Sequence, residues 1–163
     1  MANTQAMCTS FMEELMVGEH QLGTATLVSR TSLTSPTTDT LKAALYLASA
    51  TINASTTVYT TTGEVTGTNY TAGGVTVTNA AAPAFTNTSA TAGVAYWTPS
   101  ASLVYTTVTL ATAFDTVLLY NSTQSNKAIS VHTFGSQTIT AGTFTLTMPA
   151  NTTAAALIRL ATT

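Results

Sequence analysis

Two apolar, β-branched runs on either side of a polar bend constrain this chain more than any other feature. The first is Asp115-Thr-Val-Leu-Leu-Tyr-Asn, the bend covers residues 121–126, and the return is Asn126-Lys-Ala-Ile-Ser-Val-His. Neither run contains Pro, so every backbone N–H is free to join a ladder, as a hairpin inside an antiparallel sheet requires. Val117, Leu118, Leu119 and Tyr120 alternate in direction yet are all apolar or aromatic, which predicts a strand covered on both faces. If Asn121 pairs with Asn126, antiparallel counting sets Asp115 opposite His132 and Val117 opposite Ser130.

Elsewhere the chain reads as strands and turns, with one exception. Over residues 4–20 the apolar Met7, Phe11 and Leu15 recur every four positions with Cys8, Met12 and Met16 beside them, predicting a helix that Gly18 or Gly23 ends. That helix either packs on its own domain or forms an arm that docks on a neighbour, its Met-rich face repacking easily. Strands are expected at 24–30, 41–47, 57–60, 75–78, 103–110, 117–120, 128–133, 143–148 and 157–160, with a loop at 34–38, a loop holding a weak edge strand at 81–93 and a turn at 134–137. In Thr143-Phe-Thr-Leu-Thr-Met, Phe144, Leu146 and Met148 share one face and the threonines the other. The recurring Thr-Ala-Gly at Thr71, Thr91 and Thr140 predicts turn glycines. Gly63, Gly67, Gly73 and Gly74 belong to turns too, since no Lys follows as in a phosphate loop. Trp97, the single tryptophan, is expected to anchor one end of the sandwich; the alternative is a platform for sugar stacking.

The fold class follows: mainly β, an antiparallel, jelly-roll-like β-sandwich with one N-terminal α-helix. Residues 1–23 form the helical arm and 24–163 a single β-sandwich domain, a length that buries a sizeable core without a disulfide. The lone Cys8 cannot form an internal bridge.

Charge narrows the function. Only 6% of residues are charged and the net charge is −2, while Thr occurs 40 times and Ser 13 times. Thr suits a pleated strand and wets its outer face without charge. Nucleic acid would demand clustered Lys and Arg, and anionic membranes likewise, so neither partner is expected. Residues 65–114 lack charge but are too rich in Thr, Asn and Gly to cross a bilayer. The first residues lack the basic and apolar segments of a signal peptide. Monomers commonly protect sheet edges with Lys or inward charges, yet Arg30, Lys42, Lys127 and Arg159 are scattered singly. Edges and faces covered by neighbouring subunits or by another protein are therefore expected, and with them a homo-oligomer.

Chemistry offers little. Asp115 and His132 would make half of an acid–base apparatus, but Ser130 and His132 sit about 6.5–7 Å apart along one strand with no nucleophile elbow. Cys8, His20 and His132 lack metal-ligand spacing, and Asp39, Glu64 and Asp115 fall in separate segments. No catalytic, cofactor or metal site is expected. The candidate residues are protein contacts: Phe11, Met12 and Met16 on the helix, Glu64 and Tyr70 in the glycine-rich loop, and Leu118 and Tyr120 in the hairpin.

Residues 116–146, together with Asp39-Thr-Leu-Lys-Ala-Ala-Leu-Tyr-Leu-Ala, Tyr70-Thr-Ala-Gly-Gly-Val and the opening Met-Ala-Asn-Thr-Gln-Ala-Met-Cys-Thr-Ser-Phe, resemble a family of small structural proteins encoded by tailed bacteriophages. The resemblance implies a non-enzymatic virion component assembled in the bacterial cytoplasm. Its first form is a capsid decoration or cement protein bound to the major capsid protein. Alternatives are a head-tail adaptor, tail or fibre component, or a host-glycan-binding module using Trp97 and the tyrosines.

Overall fold

A computed structural model describes residues 3–20, 22–23, 38–78, 82–87 and 93–162, without the side chains of Met16, Val17 and Asn87. The strand expected at 24–30 and most of the loop at 34–38 lie outside the described residues. The chain is mainly β, a sandwich-like arrangement of two antiparallel sheets with one short N-terminal helix. In chain order the elements are β1 (Ala6–Met7), α1 (Thr9–Val17), β2 (Leu41–Leu47), β3 (Val75–Thr76), β4 (Ala84–Asn87), β5 (Gly93–Trp97), β6 (Leu103–Asn121), β7 (Lys127–Leu146) and β8 (Ile158–Ala161). The larger sheet runs β1-β7-β6-β2-β3 and the smaller β4-β5-β8.

The β6–β7 hairpin dominates, at 19 and 20 residues. The strands expected at 103–110 and 117–120 are joined through residues 111–116 into one. The turn expected at 134–137 lies inside β7, because the extra residues there are taken up by shifts in register with β6 rather than by a reversal. The hairpin bend also differs in register. Ser125 and Asn126 both adopt left-handed φ, 52° and 61°, so Asn126 belongs to the turn and Asn121 pairs with Lys127. A further slip between Leu119 and Tyr120 sets His132 opposite Val117 and Ser130 opposite Leu119. Asp115 therefore does not face His132, and Val117 does not face Ser130, as counting from Asn126 had placed them.

As the apolar run predicts, Val117, Leu118, Leu119 and Tyr120 are buried on both faces. β2 pairs along this half of β6 from Leu41↔Asn121 to Leu47↔Phe114 and is almost wholly buried itself. β7 ends as its alternation predicts: Phe144, Leu146 and Met148 are half-buried, and Thr143, Thr145 and Thr147 exposed. Of the expected strand at 57–60 there is one bridge, Val58↔Lys127.

The helix is shorter than its periodicity predicts. Residues 6–7 pair instead with Val131 and Ser130 of β7, and left-handed Gly18 closes α1. It packs on its own chain: Cys8 and Phe11 are fully buried in the core, and the Cys8 N–H donates to Ile129 O. Burying the Phe11 ring contributes roughly 2–3 kcal/mol. Asn3 stitches the segment before it to the body, donating to Leu47 O and Asp115 Oδ1 and accepting from the Ile52 N–H.

Of the three Thr-Ala-Gly motifs, Gly73 lies in a turn at φ 88°, whereas Gly93 opens β5 and Gly142 lies within β7. The glycine-rich loop depends on close backbone approach. A Cβ on Gly74, at φ +70°, would stand 1.7 Å from Ala43 O, and one on Gly67 2.0 Å from Thr109 O. Gly74→Ala is expected to cost roughly 3 kcal/mol or more, read as a lowered urea midpoint. Gly135→Ala, with nothing within 4 Å of its Cβ, should stay within about 0.5 kcal/mol of the parent; equal midpoints for the two variants would contradict the close packing of the loop on β2.

Candidate functional site

Two buried polar networks and one surface hold the groups from which function could be built. The first network centres on Glu64, which the turn at 61–64 and a bridge to Tyr46 place beside β2. Its buried carboxylate accepts hydrogen bonds from the Tyr59 hydroxyl at 2.6 Å, the Tyr70 hydroxyl at 2.7 Å and the Gly73 N–H at 2.7 Å. Tyr70 Oη also accepts from the Leu45 N–H, while Tyr120 donates to Gly73 O and Tyr105 to Ala43 O. Tyr59 stacks on Tyr120 and Tyr70 on Tyr105, with centroids 4.7 and 6.1 Å apart. Burial pushes all these phenols up, the Glu64 charge adding to the effect, and Tyr120 reaches about 12. They stay protonated donors, and neutral donors hold a carboxylate inside the fold. The network pins the 59–74 loop to the sheet. Glu64 and Tyr70 therefore point inward, which corrects their placement as outward contacts; the exposed side chains of that loop include Thr66, Thr68, Asn69 and Thr71.

The second network links α1 to the hairpin bend. Glu14 Oε2 lies 2.7 Å from His20 Nε2, and His20 Nδ1 lies 3.0 Å from the Asn121 amide nitrogen, which donates to Asp39 Oδ2 at 2.6 Å. Asn121 Oδ1 receives the Thr123 and Gln124 N–H groups, so this fully buried side chain also shapes the turn. Lys127 donates to Glu14 Oε1 at 2.9 Å and pairs with Glu19. Burial raises the Glu14 carboxyl, but hydrogen bonds from His20 and Lys127 and the Lys127 charge outweigh it and hold the group below the ordinary carboxylate value. Burial next to Glu14 pushes the Cys8 thiol up to about 12, so Cys8 acts as a core side chain and not as a nucleophile.

Ser130 and His132 lie on one face of β7, as counting predicts, but touch: Ser130 Oγ is 2.8 Å from His132 Nε2, because the imidazole spans the Cα spacing. His132 lines an apolar cavity of about 130 Å³ with Leu103, Val117, Leu119, Leu146 and Met148. Burial pushes its imidazole down to about 4, so it is neutral at pH 7. The third member of a catalytic triad is engaged elsewhere, since Asp115 Oδ1 accepts from Asn3 and Thr116. The pair satisfies two polar atoms on an apolar face.

The remaining expected contact residues divide by burial. Phe11, Leu118 and Tyr120 are 0%, 0% and 2% exposed and belong to the chain's own core, so they offer no surface to a partner. Met12 is 44% exposed, and the Met16 side chain lies outside the described residues. Trp97 is 1% exposed, an anchor of the smaller sheet in the core and not a stacking platform. Two surface features escaped the sequence reading. One is the outer edge of β7: among the described residues it is paired beyond β6 only within 127–131, leaving 133–146 open and without a charge or Pro. The other is Phe85, 75% exposed on edge strand β4. Its only sequence signal is a Phe in an otherwise small-residue stretch, because its neighbours come from β5 and β8. No known protein family matches the sequence, and no match was found among curated proteins or solved structures.

Two measurements check these networks. Tyr70→Phe removes a donor to a buried carboxylate and the acceptor of the Leu45 N–H, and should cost about 2 kcal/mol by urea unfolding; an unchanged midpoint would contradict the role given to Glu64. His132 binds its proton near 6.5 when unfolded and near 4 when folded. The unfolded chain thus takes up a proton first, and stability falls as pH drops from 6.5 towards 4, by up to roughly 3 kcal/mol. His132→Gln should remove this component, so the difference in urea midpoint between parent and variant should vary with pH inside that window. Glu14 adds a further loss as pH falls below its ordinary value of 4.5.

Proposed function

We propose that this chain is a non-enzymatic structural protein of a tailed-bacteriophage virion, and specifically a capsid decoration or cement protein that stabilises the head through contacts with the major capsid protein. The observation that carries this reading is the surface of the β6–β7 ribbon. An edge that a soluble monomer would blunt with Lys, Pro or inward charge is, among the described residues, left open and neutral over 133–146. Its exposed side chains are mainly Thr, Ser, Gln and Ala, which pack against or hydrogen-bond to a neighbouring strand without the desolvation cost of burying charge. The polar networks around Glu64 and Glu14 support the same reading, since their donors and acceptors satisfy one another inside the fold. The resemblance of the quoted segments to small phage structural proteins supplies the virion as the setting.

Binding free energy alone performs such a role. A contact of about 800 Å² per partner suffices for each site, and the repeated lattice of a capsid multiplies a modest affinity through avidity. Quantitative mass spectrometry of purified particles tests the proposal: hundreds of copies per virion are expected of a decoration protein. About a dozen copies would replace it with a neck adaptor, and absence from the particle would refute the virion role.

A further inference from the structure

The β6–β7 ribbon holds a cavity that neither polar network uses. Shifts in register along the ribbon bend both strands, so residues from their opposite ends meet. Leu103, Val117 and Leu119 of β6 line the space with His132 and Leu146 of β7, and Met148 adds to the wall just after β7. All of these lie on segments that the structure describes. The cavity measures about 130 Å³. An apolar cavity of about 150 Å³ takes up benzene, so this one is of a size for a single ring.

Aliphatic side chains alone would make a void; His132 gives it chemistry. It is the one titratable group in the described wall. Ser130 Oγ satisfies Nε2 at 2.8 Å, while Nδ1 has no hydrogen-bond partner among the described residues. A ring nitrogen left so on an apolar face carries a cost that an apolar side chain at 132 would avoid and that a hydrogen-bonding ligand removes.

We propose that this cavity binds a small neutral aromatic molecule of the phenol class, its ring among the aliphatic side chains and its hydroxyl on His132 Nδ1. The ligand class follows from the wall. No Lys or Arg lines the space among the described residues, so a carboxylate or phosphate would be buried without a counter-charge. The imidazole is neutral at pH 7 and does not call for an anion either. The Ser130 hydroxyl can donate to Nε2 or accept from it, which leaves Nδ1 either an N–H or a lone pair. A hydroxyl group answers both forms, whereas a carbonyl answers only the first. Met148 contributes a thioether to the wall, a favourable neighbour for an aromatic ring. Such a site goes beyond the structural role proposed above and does not rest on it.

Titration of the full chain with phenol at pH 7, followed by nuclear magnetic resonance of the imidazole nitrogens, tests this. Phenol should bind saturably, with a dissociation constant on the order of 1 mM, and move the His132 Nδ1 resonance. Toluene, the same ring without the hydroxyl, should bind about tenfold more weakly and leave that resonance in place. His132→Leu removes the nitrogen and should bring the two ligands to within about twofold of each other. Met148→Trp fills the cavity and should abolish binding of both, with near-UV circular dichroism to check that the fold is kept; Leu157→Trp takes its place if it is not. Should His132→Leu fail to fold, the Nδ1 shift in the parent decides instead. No saturable phenol binding up to about 10 mM, toluene bound as tightly as phenol, or phenol binding unaffected by Met148→Trp overturns the inference.

Discussion

Antiparallel pairing of β6 with β7, closed by β2, is the constraint on which the rest of the structure depends. Over the half of β6 from Phe114 to Asn121, backbone groups are satisfied on both sides, by β2 and by β7. The side chains of that half are buried above and below. A strand so placed cannot shift register by one residue without turning its side chains to the opposite face. That fixes where everything attached to it must sit. β1 and α1 hang from β7 at Ser130 and Val131, and the Glu64 loop runs along the free side of β2. The Asn121 side chain ties the end of the ribbon to Asp39 and His20.

The two polar networks show how a chain with few charges uses them. Half of its acidic groups are spent inside the fold, where Glu14, Glu64 and Asp39 are buried and each is met by specific donors. Such groups are costly when left alone and specify geometry when fully partnered. Glu64 with its tyrosines holds a loop that has little apolar content of its own, and Glu14 with His20 and Lys127 locks a nine-residue helix too short to be stable in isolation. The outer surface is left to threonine, which keeps it hydrated and makes it easy to cover.

Much of this arrangement was legible in the residues. The double-sided apolar run 117–120 announced a buried central strand, and the Thr-Phe-Thr-Leu-Thr-Met alternation announced the half-buried end of β7. Trp97 was rightly read as an anchor. What was misread depended on the third dimension. Asn126 reads as the first residue of a strand, but it adopts left-handed φ beside Ser125 and joins the turn; with the slip at Leu119, that moved His132 away from Asp115. Residues 134–137 read as a turn because Gly and Ser favour one, yet a partner strand with matching irregularities carries them straight through. Tyr70 and Glu64 read as exposed loop groups because nothing local reveals that their partners are each other, Tyr59 and the Gly73 N–H.

Period and composition, then, determined on their own that this is a β protein with one helix, which strand is most deeply buried, and that its surface is nearly uncharged. These are local properties, set by side-chain alternation and by what each residue costs to bury. Only the tertiary structure decided the register of the long hairpin, the inward turn of Glu64 and its tyrosines, and the alignment of Phe85, Ala95 and Leu160 across the smaller sheet. Each of those rests on residues far apart in the chain, Phe85 with Leu160 and Glu14 with Lys127 among them. Such pairings arise only when the backbone ladders bring the segments together.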